Sequence, residues 1–407
     1  MTGEPTTRAW VALAATLAIQ VYVAFAATAA PVLAPIVAPA FGVGPELVGV
    51  FVGLVYVASM TMSLMAGGFV ARYGAIRVSQ ACVLLCALGL ALVPIAAAFS
   101  AGLVLVAIAP LVIGAGYGPI TPASSQILAR TAPPSRMALT FSIKQTGVPA
   151  GAALGGAILP ALALAIGWRG ALASIAAIGI VVLLAAQPIR SDLDRIRDRG
   201  YRLSLAGVTR PLAKVFANRI LAELSLASFF YAALQVSLTS FLVVYLTEAL
   251  RWSLVGAGLA LTVATLAGVA GRILWGAVAD RFVPPRMLLG LLGAFAGLCS
   301  LATAAYPAEG PVAPLLVLIA LFGATAIGWN GVQLAELARH APPGEAGAIT
   351  GASGFVTFGG VVFGPTVFGL LAGITGNYRT GFVSIGAATL ACGLWSLLRY
   401  HRTRIAR

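Results

Sequence analysis

Apolar residues occupy this chain in long runs, and short polar knots separate them. A helix needs about 20 apolar residues to cross a bilayer. Twelve runs meet that need: about 10–34, 46–71, 77–99, 102–130, 137–165, 168–188, 219–246, 253–278, 286–306, 311–338, 346–374 and 379–399. Several exceed the minimum, which predicts tilt or helix ends that project beyond the hydrocarbon. The first run, Trp10 to Pro39, is too long for a cleavable signal peptide and lacks its flanks, so it is expected to stay as a span. The pattern predicts an all-α membrane protein with twelve transmembrane helices.

The polar knots carry an orientation signal. The longest, Arg190–Arg219, holds Arg190, Arg195, Arg197, Arg199, Arg202, Arg210, Lys214 and Arg219 against Asp192, Asp194 and Asp198. Arg72/Arg77, Arg130/Arg136, Arg281/Arg286, Arg339/His340 and the tail residues Arg399, Arg402, Arg404 and Arg407 fall on the same side if there are twelve spans. The alternate loops are short, with the isolated charges Glu46, Arg169, Glu248, Arg251, Glu309 and Arg379. The positive-inside rule then puts both termini and the long connector in the cytoplasm of a cell whose inner membrane the chain crosses.

Composition agrees. The chain is 60% hydrophobic and only 9% charged, against about 25% charged in soluble domains. The net charge of +14 reflects loop arginines, so no nucleic-acid partner is expected. Cys82, Cys86, Cys299 and Cys392 lie in apolar runs and read as small packing residues, not as a disulfide framework. Cys82 and Cys86 lack a His or acidic companion for a metal. No G-x-x-x-x-G-K-[ST] or H-E-x-x-H occurs, and the histidines are His340 and His401. Neither enzymatic chemistry, direct ATP drive nor a cofactor is expected.

An internal repeat organises the spans. GGFVARYGAIR (Gly67–Arg77) aligns with GAVADRFVPPR (Gly276–Arg286), and ARTAPPSR (Ala129–Arg136) with ARHAPPGE (Ala338–Glu345), both at an offset of 209 residues (72 to 281, 130 to 339). WRG at Trp168 matches YRT at Tyr378 at 210. Three islands at nearly one offset imply two homologous six-helix halves, residues 1–189 and 219–407, joined by a basic connector at 190–218. Parallel repeats of this kind place a substrate site between the halves near the midplane.

Phe141–Gly156, FSIKQTGVPAGAALGG, stands out within an apolar run because it carries Lys144, one of two lysines in the chain; the other is Lys214 in the connector. A lysine at membrane depth costs at least about 2.5–3.5 kcal/mol on insertion scales and needs compensation. Pro149 has no N–H, so the carbonyl of Gln145 loses its helical partner. Freed carbonyls are tolerated where protein or a water-filled cavity meets them. The stretch is expected to line a transport path.

The residues GRILWGAVADR (Gly271–Arg281) resemble the loop signature of the major facilitator superfamily, Gly-x-x-x-Asp-Arg, and through the repeat the resemblance covers essentially the whole chain. It implies a secondary transporter with Arg72, Arg77, Asp280 and Arg281 at a cytoplasmic gate. The first-half copy departs from the signature, with Ala71 where the family has Asp. The fourth-helix neighbourhood APLVIGAGYG lacks the arginine of drug–proton antiporters. Arg272, eight residues before Asp280, is similar in placement to a substrate-contacting arginine of monocarboxylate and oxalate/formate transporters. The neighbourhood of Lys144, with Ser142 and Gln145, is similar to cyanate-permease-like members.

Depth is consistent with this. Lys144 lies eight residues inside Arg136, and Arg272 eight residues inside Asp280. At 1.5 Å per residue each sits ~12 Å from its boundary, close to the ~15 Å midplane of a ~30 Å core. The family fold makes helices 5 and 8 neighbours. Two cations there, with no obvious buried acid to neutralise both, favour an anion. Arg supplies a planar fork for a carboxylate and Lys a point charge. The other reading of Lys144 is snorkelling or carbonyl binding, and of Arg272 a structural tie to the gate.

Gln145, Gln20, Tyr22, Tyr56, Tyr117, Tyr231, Gln235, Asn330 and Gln333 either line the cavity or hydrogen-bond between helices. Trp275 and Trp329 read as packing, and Trp10, Trp168 and Trp252 as interfacial. Glu336 is the better candidate to carry a coupling proton; Glu223 is the other. Each has a local partner, Arg339 and Arg219 respectively, and ion pairing is the alternative for both. The chain is thus expected to move a small organic anion, most plausibly a monocarboxylate, by proton symport or anion exchange, as a functional monomer in the lipid bilayer. The alternative is proton-coupled export of amphipathic drugs, which requires a titrating acid in the cavity.

Overall fold

The computed structural model describes residues 5–43, 48–99, 102–195, 197–203 and 205–405. Glu46 and Arg407 lie outside them. Among the described residues the regular structure is helical throughout, and the twelve spans expected from the sequence are present. Spans 1 to 3 are Pro5–Val37, Val48–Tyr73 and Ala75–Ala96. Span 4 is Gly102–Tyr117 followed by Ile120–Thr131. Span 5 begins as Met137–Gln145 and continues into Gly147–Ala185. That long helix also contains span 6: Gly167 turns it with φ 75°, ψ 159°, a conformation glycine adopts without a Cβ penalty. Spans 7, 8 and 9 are Arg219–Glu248, Leu254–Arg281 and Pro285–Ala305. Span 10 is Val312–Ala326 and Asn330–His340; spans 11 and 12 are Ala346–Thr375 and Tyr378–Ile405.

Spans 4, 5 and 10 are broken, which an apolar run does not announce. Span 4 breaks at Gly118–Pro119, and span 10 at Ile327–Trp329, one repeat later. Span 5 breaks at Thr146, three residues before Pro149. The proline has no N–H to return to the Gln145 carbonyl, as its chemistry requires. The connector also departs from a plain polar linker: its residues Leu205–Ala217 form a helix that packs on span 2.

Two compact units result. The first comprises Met1–Ala132, Lys144–Ala217 and Ala341–Phe355; the second comprises Pro133–Ile143, Asn218–His340 and Val356–Arg407. The division differs from the two repeats in three respects. The connector belongs to the first unit, the start of span 5 to the second, and the start of span 11 to the first.

Within each unit the repeat is legible in three dimensions. In the first, Gly114 of span 4 meets the carbonyl of Val55 on span 2; in the second, Gly323 of span 10 meets the carbonyl of Ala264 on span 8. Both pairs are 209 residues apart (114 to 323, 55 to 264). A Cβ at either glycine would overlap that carbonyl, so the absence of a side chain lets the helices approach.

Span 3 starts on a cap from the connector. The Asp194 carboxylate accepts from the N–H groups of Ile76 at 2.8 Å and Arg77 at 3.1 Å. Gly74, φ 94°, leaves no Cβ to collide with it. Burial raises the Asp194 pKa, against the pull of the Ile76 N–H and of Arg190, Arg197 and Arg130. The carboxyl thus binds its proton more tightly folded than unfolded. Its contribution to stability is greatest at low pH and falls as pH rises through the raised pKa. Replacing Asp194 by Ala orphans two helix-start donors and is expected to cost about 1–3 kcal/mol. Asp194→Asn keeps an acceptor without a buried charge and should cost less. Thermal unfolding of the two variants at neutral pH checks this order, and equal losses would count against the capping role.

Candidate functional site

In the first unit, the break in span 5 positions Lys144. Its side chain is 1% exposed. The ammonium donates to Oε1 of Gln20 on span 1 at 2.7 Å and to Oε1 of Gln145 at 3.1 Å. The hydroxyl of Thr121, just past the break in span 4, donates to the same Gln20 oxygen at 3.5 Å. Gly147 lies against the Gln20 stem, so spans 1 and 5 bring amine and amide together. Amide oxygens supply part of the solvation that a buried ammonium gives up. Both are neutral acceptors.

In the second unit, Arg272 of span 8 is 2% exposed. Its Nε donates to the carbonyl of Ile327 at 3.1 Å. That carbonyl is free because span 10 breaks there. Asn330 Nδ2 donates to the same carbonyl at 3.4 Å and to Oε1 of Gln235 on span 7 at 3.1 Å. Indole N–H groups serve the break too: Trp275 donates to Ala324 at 2.8 Å and Trp329 to Ala326 at 3.1 Å. These tryptophans therefore do more than pack. Arg272, Asn330 and Gln235 form one polar cluster, and Arg272 is tied to the helix break.

The fold, a repeat of six spans and a buried cation in each unit can now be compared with known proteins. A profile described as Major Facilitator Superfamily matches residues 16–365. The chain belongs to the major facilitator superfamily. Among its relatives, an uncharacterized MFS-type transporter of Mycobacterium tuberculosis (strain CDC 1551 / Oshkosh) is 27% identical over 279 residues, covering 68% of this chain and 61% of that protein. A probable galactarate/D-glucarate transporter of Bacillus subtilis (strain 168), GudP, is 26% identical over 203 residues, covering 46% of this chain and 42% of that one. The match to the first relative thus spans 61% of its length. Among solved structures, the fucose:proton symporter FucP of E. coli has a TM-score of 0.74 at 19% identity, covering 95% of this chain and 98% of that one. The human organic anion transporter MFSD10 has a TM-score of 0.73 at 18% identity, covering 97% and 100%. At such identities the likeness is one of fold.

The remaining candidate residues of this major facilitator protein spread over other duties. Tyr231 is buried, with its hydroxyl donating to the Leu289 carbonyl at 2.9 Å and its ring edge-on to Trp329 at 5.6 Å; it ties span 7 to span 9. Tyr117 is half-buried against Tyr56, ring to ring at 6.5 Å. Asp280 accepts from the N–H groups of Ala138 and Leu139 at 3.1 and 2.8 Å and pairs with Arg339 at 3.1 Å. Arg72 donates to the Tyr201 carbonyl at 3.2 Å. Arg77 and Arg281 are exposed. Glu336 pairs with Arg339 at 3.2 Å and lies 3.5 Å from His340. Glu223 does not pair with Arg219, one helical turn before it. Arg286, from the start of span 9, reaches it at 2.7 Å, while Arg219 points to the exterior.

Sequence reasoning missed Thr121, the Ile327 carbonyl and the bonding role of Trp275. The signal was present: Pro119 and Gly328 stand 209 residues apart, and paired helix breakers in matching positions mark binding regions in repeat transporters. A buried amine kept for function should be dispensable for folding. The double variant Lys144→Met/Gln20→Leu is expected to be as stable as the parent or more stable by about 1–4 kcal/mol, since apolar groups often replace buried charges without loss. Denaturation in detergent measures it; a loss of several kcal/mol would make Lys144 a structural residue.

Proposed function

We propose that the chain is a secondary active transporter of a small organic anion, working by alternating access in the inner membrane with its basic face in the cytoplasm. The observation that carries this is the burial of the Lys144 ammonium beside a helix break, next to the amides of Gln20 and Gln145. Such a group presents positive charge in a poorly screened setting, where attraction to a carboxylate is strong. Arg272, buried on span 8 of the second unit, is a further candidate in this reading.

The amides favour a particular kind of anion. Gln20 and Gln145, beside Lys144, both donate and accept, which suits hydroxyl groups beside a carboxylate. The probable galactarate/D-glucarate transporter among the relatives supports hydroxy acids as the first group to test, with simple monocarboxylates next. Proton symport and anion exchange are both compatible with the site. The drug-antiport reading gains nothing: Glu336 and Glu223, the acids it would need, are engaged with Arg339 and Arg286.

Ligand binding to the native state raises the melting temperature, and a ligand at 100 times its Kd adds about 2.7 kcal/mol. A screen of lactate, D-glucarate, galactarate, fucose and a lipophilic cation against the purified protein is expected to show a shift with an acid and none with fucose or the cation. Lys144→Ala should abolish that shift and Arg272→Ala should weaken or abolish it, with parallel loss of labelled-acid uptake into proteoliposomes. A shift by the lipophilic cation that survives both substitutions would replace this reading with the export one.

A further inference from the structure

Two spans begin on the basic face without caps of their own. Span 5 starts behind Arg136 and span 11 behind Glu345, positions 209 residues apart. The first N–H groups of any helix lack partners within it. Arginine has no acceptor to offer them. Glu345 has one but turns it away: both carboxylate oxygens lie 2.6 Å from the Lys214 ammonium of the connector helix.

Both starts are instead capped from far along the chain. In the second unit, Ala138 and Leu139 donate to Asp280. In the first unit, the residue equivalent to Ala138 is Gly347, again 209 later. The residue equivalent to Asp280 is Ala71, which has no acceptor in its side chain. Gly347 donates at 2.7 Å to Oε1 of Gln126, on the second segment of span 4. The same amide returns a hydrogen bond from Nε2 to the Gly344 carbonyl, also at 2.7 Å. The space beside Ala71 remains as a cavity of about 260 Å³, whose wall includes Gly67, Gln126, Lys214, Glu345 and Ala348.

We propose that Gln126 is a positioning residue that holds the start of span 11 in place of the carboxylate missing at Ala71, and that Lys214–Glu345 joins the connector helix to the same tie. The two helix starts are thereby held by different chemistry. Asp280 holds span 5 with a carboxyl group. Gln126 holds span 11 with a neutral amide that neither titrates nor is screened. The Lys214–Glu345 pair is about a third exposed and weakens with salt. That the tie must open during each turnover rests on the alternating-access reading above; the tie itself does not.

Hydrogen–deuterium exchange of the full chain in nanodiscs, without ligand, tests it. Gln126→Ala is expected to speed exchange in the peptide spanning residues 344–350 about tenfold, the consequence of losing one hydrogen-bonded cap. Gln126→Glu retains the acceptor and should stay near the parent rate. Ala71→Asp added to Gln126→Ala should restore slow exchange. Unchanged exchange in Gln126→Ala overturns the proposal, and so does failure of Ala71→Asp to restore it. If Gln126→Ala does not fold, recovery of folded protein by Ala71→Asp supports the tie and absence of recovery overturns it. Uptake of the acid found by thermal shift supplies the other arm. Slower or faster uptake in Gln126→Ala, reversed by Ala71→Asp, supports a role in turnover. Parent-like uptake alongside altered exchange removes that role and leaves the tie.

Discussion

A helix start cannot go unsatisfied at the edge of a bilayer, and in this protein distant side chains meet that demand. The local sequences before spans 3, 5 and 11 supply Gly74, Arg136 and a Glu345 that is otherwise engaged. The caps come from Asp194, Asp280 and Gln126, separated from the donors they serve by more than a hundred residues in each case. Each cap therefore fixes tertiary structure as well as a helix end. Moving the start of span 5 means taking two N–H groups off Asp280, and moving the start of span 11 means taking one off Gln126. An orphaned donor costs about 1–3 kcal/mol. That is large enough to hold one arrangement and small enough for a ligand to offset.

The same accounting explains the middle of the spans. Breaks in spans 4, 5 and 10 free carbonyls at a depth where water is scarce, and polar side chains must answer them. Arg272, Trp275, Asn330 and Trp329 all donate to carbonyls between Ala324 and Ile327. The break thus recruits a guanidinium into the apolar interior and gives it a reason to remain there. Lys144 is held differently, by side-chain amides.

Much of this was legible in the sequence. Apolar run length gave all twelve spans, and the offset of 209 between the arginine islands recurs in the glycine contacts of Gly114 and Gly323. Lys144 and Arg272 stood out because charge is rare in hydrocarbon, and both are buried. Partner identity was not legible. Glu223 has an arginine one turn away, yet pairs with Arg286 from another span. Helical spacing tells which residues share a face, whereas the choice between local and distant partners depends on how neighbouring spans pack. Gln126 was invisible for the same reason: a glutamine near a helix end is unremarkable until Gly347 is placed beside it.

Asymmetry between the halves follows from a single position. With Asp at 280 and Ala at 71, the two repeats cannot cap their matching helix starts by the same chemistry, although their backbones obey the same offset. An unpaired glycine N–H at residue 347 would have been the expected result. The second segment of span 4 supplies an amide instead, and the connector supplies Lys214 to occupy the carboxylate that would compete for the site. Span 4 also carries Thr121, one and a half turns before Gln126 and bonded to the Gln20 that holds Lys144. A single short helix, Ile120–Thr131, thus reaches Gln20 from its first turn and caps span 11 from its middle.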